Sequence, residues 1–270
     1  MLTQTVNNWT IESRSPNLTN LTTPPPTSNG RARIAFTADF TDDAPIALKV
    51  TPGPAATADA VTFIFDPTLI NHTGSSWFSA DFDLVDDVTT PAPGPTHPLY
   101  AHFHDGSMPV AFPNWENPTL GPFVSYYGQN VTTGTPQSVH GANQYHLSAG
   151  ATGEFQNNTS AALTGFGVHE FRTVAGQTSA GNGGEFYIVL APGGDSHNFD
   201  QVIEGGDGAD VLTGDASHFG SPLPRNDLIY GYDGNDTLSG QERNDTLVGG
   251  AGTDTAVFNP SFRLDFTQVS

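Results

Sequence analysis

The sequence predicts an all-β protein: an antiparallel β-sandwich or jelly-roll domain followed by a short repetitive coil. Three observations carry this. Apolar residues alternate with polar ones at a period of two in several short runs, the pattern of a half-buried strand. Clusters of Gly, Pro, Asn and Thr punctuate those runs. No apolar stripe at a period of 3.6 persists beyond a few turns, so the helices that would cover a parallel sheet are not expected.

The elements follow in chain order. Residues 1–30 are polar, carry Pro24, Pro25 and Pro26 in a row, and read as an N-terminal arm or edge segment. Residues 31–192 read as the sandwich. There Ile34, Phe36, Ala38 and Phe40 alternate with polar or small residues. Phe78, Ala80, Phe82 and Leu84 alternate with Ser79, Asp81 and Asp83, the clearest strand signal in the chain. Phe63 and Phe65, the run Phe123 to Tyr127, and Phe186, Ile188 and Leu190 supply further strands. Turn-rich stretches such as Pro91 to Pro98 and Gly128 to Gly134 lie between them. After Ala191-Pro192-Gly193-Gly194 aromatics thin out and Gly, Asp and Asn rise, which sets a second domain over 193–257 and a short flank over 258–270.

The bulk numbers narrow the function. The chain has 270 residues, enough for one large β domain or two smaller ones. It has no Cys, which excludes disulfides and thiolate metal sites. Its 8 Lys and Arg against 28 Asp and Glu give a formal charge of −20. Such a surface repels phosphate backbones and anionic lipids, so no nucleic-acid partner is expected, and it suits capture of cations. No stretch has the apolar length of a membrane span. The first residues, MLTQTVNNWTIESRSP, lack the basic region and apolar run of a cleavable signal peptide.

The second domain reads as lines of nine: Gly205 to Thr213 (GGDGADVLT), Gly231 to Ser239 (GYDGNDTLS), Gly240 to Val248 (GQERNDTLV) and Gly249 to Val257 (GGAGTDTAV). Asp227, Asp236, Asp245 and Asp254 recur every nine residues. Asp210 to Asp227 is 17, which is nine plus an eight-residue insertion within Ala216 to Pro224. Six residues rich in Gly and Asn make a tight half-turn, and the last three make a minimal strand. Its middle residue, Leu212, Ile229, Leu238, Leu247 or Ala256, is expected to face the interior of the coil. Two lines close one turn, so each Asp stacks beside the carbonyls of a neighbour. Carboxylates plus turn carbonyls are the hard oxygen set that calcium takes.

These lines resemble the RTX, or haemolysin-type, calcium-binding nonapeptide GGxGxDxUx. The resemblance covers about a quarter of the chain. It implies a short parallel β-roll with Ca2+ as cofactor. The site residues are then Gly206, Asp207, Gly208, Asp210, Asp227, Asp233, Gly234, Asp236, Asp245, Gly250, Gly252 and Asp254. It also implies a secreted, extracellular protein, a client of bacterial type I secretion machinery whose array stays unfolded until it meets external calcium. Gln241 and Arg243 replace usual glycines, and Pro222 and Pro224 precede Asp227, so those turns are expected to be poorer sites. Asn198 to Glu204 looks like a decayed first repeat with Asp200 one place out of register. Roughly two to four occupied sites are expected.

The first domain is less informative. It lacks HExxH, GxSxG, a P-loop and a dinucleotide fingerprint, so no catalytic residue is nominated. His102 and His104 share one face of an expected strand and are the candidate ligands for a transition metal, with His72, His97, His140, His146 and His169 left for folding to bring in. Trp115, Tyr126 and Tyr127 are the candidates for glycan contact. The run Asn71 through Trp77 to Leu84, with Leu163-Thr164-Gly165 and Glu185 to Leu190, is similar to β-sandwich domains of secreted bacterial proteins with PEP-type sorting signals. The functional reading is a secreted calcium-binding protein whose repeats fold on extracellular calcium and stabilise a domain that binds a glycan, cell surface or matrix. The rival is an extracellular enzyme, polysaccharide-active or metal-dependent, with an RTX export module.

Overall fold

The computed structural model describes residues 1–6, 9–26, 32–52, 62–85, 101–104, 123–130, 135–136, 144–149, 154–163, 166–170, 186–192, 199–214, 226–241 and 244–258. The chain divides into two compact units, Met1–Ser196 and His197–Ser270. Among the described residues regular structure is strand throughout, with no helix.

Two sheets build the first unit. The larger runs in the order β1 (Leu2–Val6), β2 (Trp9–Ser13), β5 (Ile46–Pro52), β14 (Phe186–Pro192), β7 (Ser79–Val85), β11 (Gln144–Ala149), β9 (Phe123–Asn130), β10 (Thr135–Pro136). The smaller runs β3 (Leu18–Thr22), β4 (Ala32–Phe40), β6 (Thr62–Asn71), β13 (Phe166–Glu170), β8 (Ala101–His104), with β12 (Thr159–Ala162) also on β6. One apolar core draws Trp9, Ile11, Val50, Phe82 and Ile188 from the larger sheet and Leu21, Ile34, Phe36, Phe65 and Leu69 from the smaller. Two sheets that share a core form a sandwich. The strands of residues 2–22 edge both sheets, and Trp9 and Ile11 are fully buried.

Alternation in the sequence becomes alternation in burial. β4 buries Ala32, Ile34, Phe36, Ala38 and Phe40 and leaves the residues between half-buried. Phe40 meets Trp77 edge-on at 5.1 Å, and Trp77 meets Phe155 at 5.3 Å. Two features depart from a simple antiparallel sandwich. β4 pairs with β6 in parallel, because the chain leaves the smaller sheet to form β5 in the larger one before returning. β7 is buried on both sides: Ala80 and Phe82 face the core, yet Asp81 (1 % exposed) and Asp83 (3 %) are equally covered. A period of two reports which face meets the core. It does not report whether the other face stays wet.

Candidate metal centre

The second unit consists of two parallel sheets. β15 (Phe199–Glu204), β17 (Asn226–Asp233) and β19 (Thr246–Ala251) form one; β16 (Val211–Thr213), β18 (Thr237–Ser239) and β20 (Thr255–Ala256) form the other. The chain passes from one sheet to the other with each nine-residue line. Leu228 pairs with Thr246 and Thr237 with Thr255, both 18 residues on. Val202 pairs with Leu228 and Val211 with Thr237, both 26 residues on. One turn therefore carries eight extra residues between Thr213 and Asn226. The expected insertion falls there, and residues 215–225 lie outside the described ones.

The interior positions are apolar but thin. Ile229 and Leu238 are buried, Leu212 and Leu247 half-buried, and Ala256, in the last described strand, is exposed. Ala256 thus departs from the interior place expected of it: among the described residues no further strand stacks beyond β20.

The aspartates stack in two columns. The Asp210 N–H donates to Asp236 Oδ1 at 2.8 Å, and the Asp236 N–H to Asp254 Oδ1 at 3.0 Å. On the other side the Asp227 N–H donates to Asp245 Oδ1 at 2.9 Å. One carboxylate oxygen thus ties each turn to the one before. In each line the other oxygen sits in the notch left by the first glycine. A Cβ on Gly205 would lie 2.8 Å from Asp210 Oδ2 and 2.7 Å from the Gly231 carbonyl. A Cβ on Gly231 would collide with Asp236 Oδ2 and lie 2.6 Å from the Gly249 carbonyl. Gly214 and Gly240 stand in the same relation to Asp227 and Asp245, and Gly249 to Asp254. Carboxylate and carbonyl oxygens therefore converge between turns. Asp236 is 1 % exposed, and its Oδ2 has no hydrogen-bond partner.

Such an oxygen calls for a cation. A buried carboxylate atom without a donor is costly. Carboxylates stacked at the ~4.8 Å spacing of neighbouring strands repel by about 3 kcal/mol per pair at an effective dielectric of ~20. Burying one Leu or Ile side chain returns only about 1.5–3 kcal/mol. Among the described residues no three His, Cys, Asp or Glu side chains gather at one point. An ion between turns would therefore draw on at most two carboxylates and complete its shell from carbonyls, a set of hard oxygens that fits calcium.

Residues 197–218 and 224–256 match the family model of the RTX calcium-binding nonapeptide repeat, in four copies. The C-terminal unit is an RTX roll. RTX repeats bind calcium, and calcium is the cofactor of this chain. No curated protein and no solved structure shows a significant match to the chain.

Within the RTX roll the expected site residues separate. Asp210, Asp227, Asp236, Asp245 and Asp254 form the columns, whereas Asp207 and Asp233 are exposed on the turns. Gly206 donates its N–H to Asp210 Oδ2 at 2.6 Å. Gly234, Gly250 and Gly252 have φ of 137°, 95° and 139°, and Gly208 borders open space.

Two features escaped the sequence reading. Asn226 and Asn235 accept, on their side-chain oxygens, the N–H groups of Asn244 and Thr253, a second turn-to-turn ladder. Its signal was visible, since Asn precedes Asp at 226, 235 and 244. A bulge at Phe199/Gln201 skips Asp200 and pairs Gln201 with Asp227, so a neutral amide heads that column. Its Oε1 is buried without a hydrogen bond.

Of the candidates outside the roll, Trp115 lies outside the described residues. Tyr126 and Tyr127 lie on β9, and His102 and His104 on β8, strands described here by their backbone.

Proposed function

We propose that this chain is a secreted protein whose RTX roll is a calcium-triggered folding module, and whose two-sheet unit is the part that binds a cell-surface, matrix or glycan ligand. Asp210, Asp236 and Asp254 hold calcium between turns on one side of the roll. Asp227 and Asp245 do so on the other, each with turn carbonyls. The observation that carries the reading is the buried Asp236 carboxylate, with one oxygen used by the preceding turn and the other left for an ion. In low cytosolic calcium the stacked carboxylates repel and the thin interior does not offset them, so the roll stays unfolded and fit for export by a type I route. Outside the cell, calcium binding becomes folding free energy. For the binding role of the two-sheet unit, the support is architectural: two sheets that share one buried core make a scaffold of the kind on which binding residues are carried.

Calcium titration of the chelator-treated full chain, followed by far-UV circular dichroism, tests the folding step. Strand signal should rise cooperatively with calcium and vanish on chelation. A spectrum indifferent to calcium would overturn it.

A further inference from the structure

We propose that Gln201 is a calcium ligand: its amide oxygen and the Asp227 carboxylate hold an ion at the first step of the roll, in a site weaker than those between paired aspartates. The inference rests on the calcium reading of the roll and names a ligand that the nonapeptide pattern does not contain.

Apolar packing puts Gln201 in this place. β15 pairs with β17 so that Phe199 lies opposite Asn226, Gln201 opposite Asp227, Val202 opposite Leu228 and Ile203 opposite Ile229, with a bulge between Phe199 and Gln201. A ladder without the bulge would set Asp200 against Asp227. It would also move Gln201 against Leu228 and Val202 against Ile229. Phe199, Val202, Leu228 and Ile229 are all buried, so the apolar register prevails and the bulge absorbs the extra residue. Paired residues on neighbouring strands share a face. Gln201 therefore heads the column that runs through Asp227 to Asp245, whose Oδ1 accepts the Asp227 N–H.

Among the described residues of the roll, two side-chain oxygens are buried without a hydrogen bond: Asp236 Oδ2 in one column and Gln201 Oε1 in the other. Gln201 as a whole is half-buried, yet its oxygen is the covered atom. A buried amide oxygen with no donor is costly. Calcium takes side-chain amide oxygens alongside carboxylates. Oxygens stacked on strands ~4.8 Å apart lie at twice the calcium–oxygen distance of about 2.3–2.6 Å. An ion between Gln201 and Asp227 thus answers for the covered amide oxygen as one between turns does for Asp236.

Charge sets the rank of this site. A step between two aspartates brings two negative charges to the ion, whereas Gln201 and Asp227 bring one. Calcium affinity follows the number of charged ligands. The Gln201 step therefore fills last. β15 is the first strand of the roll, so the N-terminal edge of the roll is the part that answers to calcium in its upper range.

The test is calorimetric titration of the full chain with calcium chloride, with bound calcium counted by elemental analysis near saturation. Gln201→Leu removes the oxygen at similar volume. It should weaken the weakest step at least about tenfold, leave about one calcium fewer per chain, and keep the tighter steps unchanged. Gln201→Glu restores an oxygen and adds a charge, so it should tighten the same step about tenfold. Circular dichroism in saturating calcium checks that each variant folds; should Gln201→Leu fail to fold, Gln201→Glu carries the test, and a weakest step that it leaves unmoved overturns the proposal. A folded Gln201→Leu chain that binds calcium with wild-type number and affinities overturns the ligand role while calcium-triggered folding stands. A wild-type chain that binds no calcium overturns both.

Discussion

Tyr232 and Gln241 both occupy the second position of their repeats with positive φ, 71° and 69°, where Gly250 has 95°. A side chain in that region costs about 1–2 kcal/mol. The two residues should nevertheless respond to glycine in opposite directions. Gln241 makes one bond there, from Nε2 to Ser239 Oγ at 3.0 Å, so Gln241→Gly should stabilise the roll by about 0.5–1 kcal/mol. Tyr232 stacks on Tyr230 at 5.3 Å and donates its hydroxyl to Glu204 at 2.6 Å. Tyr232→Gly should cost at least about 2 kcal/mol, since the lost ring and charge-assisted bond outweigh relief of strain. Urea unfolding in saturating calcium measures both, and equal signs would contradict the account. The glycines divide in a similar way. Gly231→Ala should cost about 1–3 kcal/mol and weaken calcium binding, because its Cβ meets the Gly249 carbonyl and Asp236. Gly208→Ala, with nothing near its added methyl, should be close to neutral; urea unfolding and a calorimetric calcium titration measure both glycine variants.

Elements depend on how their ends are tied. The link from β6 to β7 is held by Asn71, which is fully buried. Its Nδ2 donates to the carbonyls of Ser75 (2.8 Å) and Phe155 (3.0 Å), and its Oδ1 accepts from Thr73 N and Oγ1. Asn71→Ala removes four hydrogen bonds from this link at once and should cost about 2–4 kcal/mol in thermal unfolding, far more than a surface Asn would. In the roll, the first strand differs from the rest because Gln201 takes an aspartate's place. The site between Gln201 and Asp227 offers one carboxylate where other neighbours offer two. Gln201→Asp should therefore tighten the weakest step of the calcium isotherm by about tenfold. An isotherm that superimposes on wild type would show that Gln201 lies outside the ion's shell.

The whole molecule carries a formal charge of −20, and two kinds of repulsion must be kept apart. Surface repulsion is screened by any salt, with a Debye length near 8 Å at physiological ionic strength. Asp236 and Asp227 are buried, and mobile monovalent ions reach them poorly. Sodium chloride at about 0.5 M without calcium should thus recover only a minor part of the stability that millimolar calcium confers. Full recovery by sodium would assign the effect to net charge and remove the specific sites from the explanation.

Period is the property that the sequence determined by itself. A period of two through Ile34, Phe36, Ala38 and Phe40 fixed strands and their apolar face, because side chains alternate whatever the partner strand is. The nine-residue interval of Asp227, Asp236, Asp245 and Asp254 fixed the roll, its eight-residue insertion and its ion, because each repeat must present the same oxygens to the next. Adjacency was decided only by the tertiary structure. The parallel pairing of β4 with β6, the covering of Asp81 and Asp83, the bulge that exchanges Asp200 for Gln201, and the pairing of β8 with β13 all join residues through partners distant in sequence. Local pattern encodes which face a residue takes. Which strand lies beside it is set by the packing of the whole sheet.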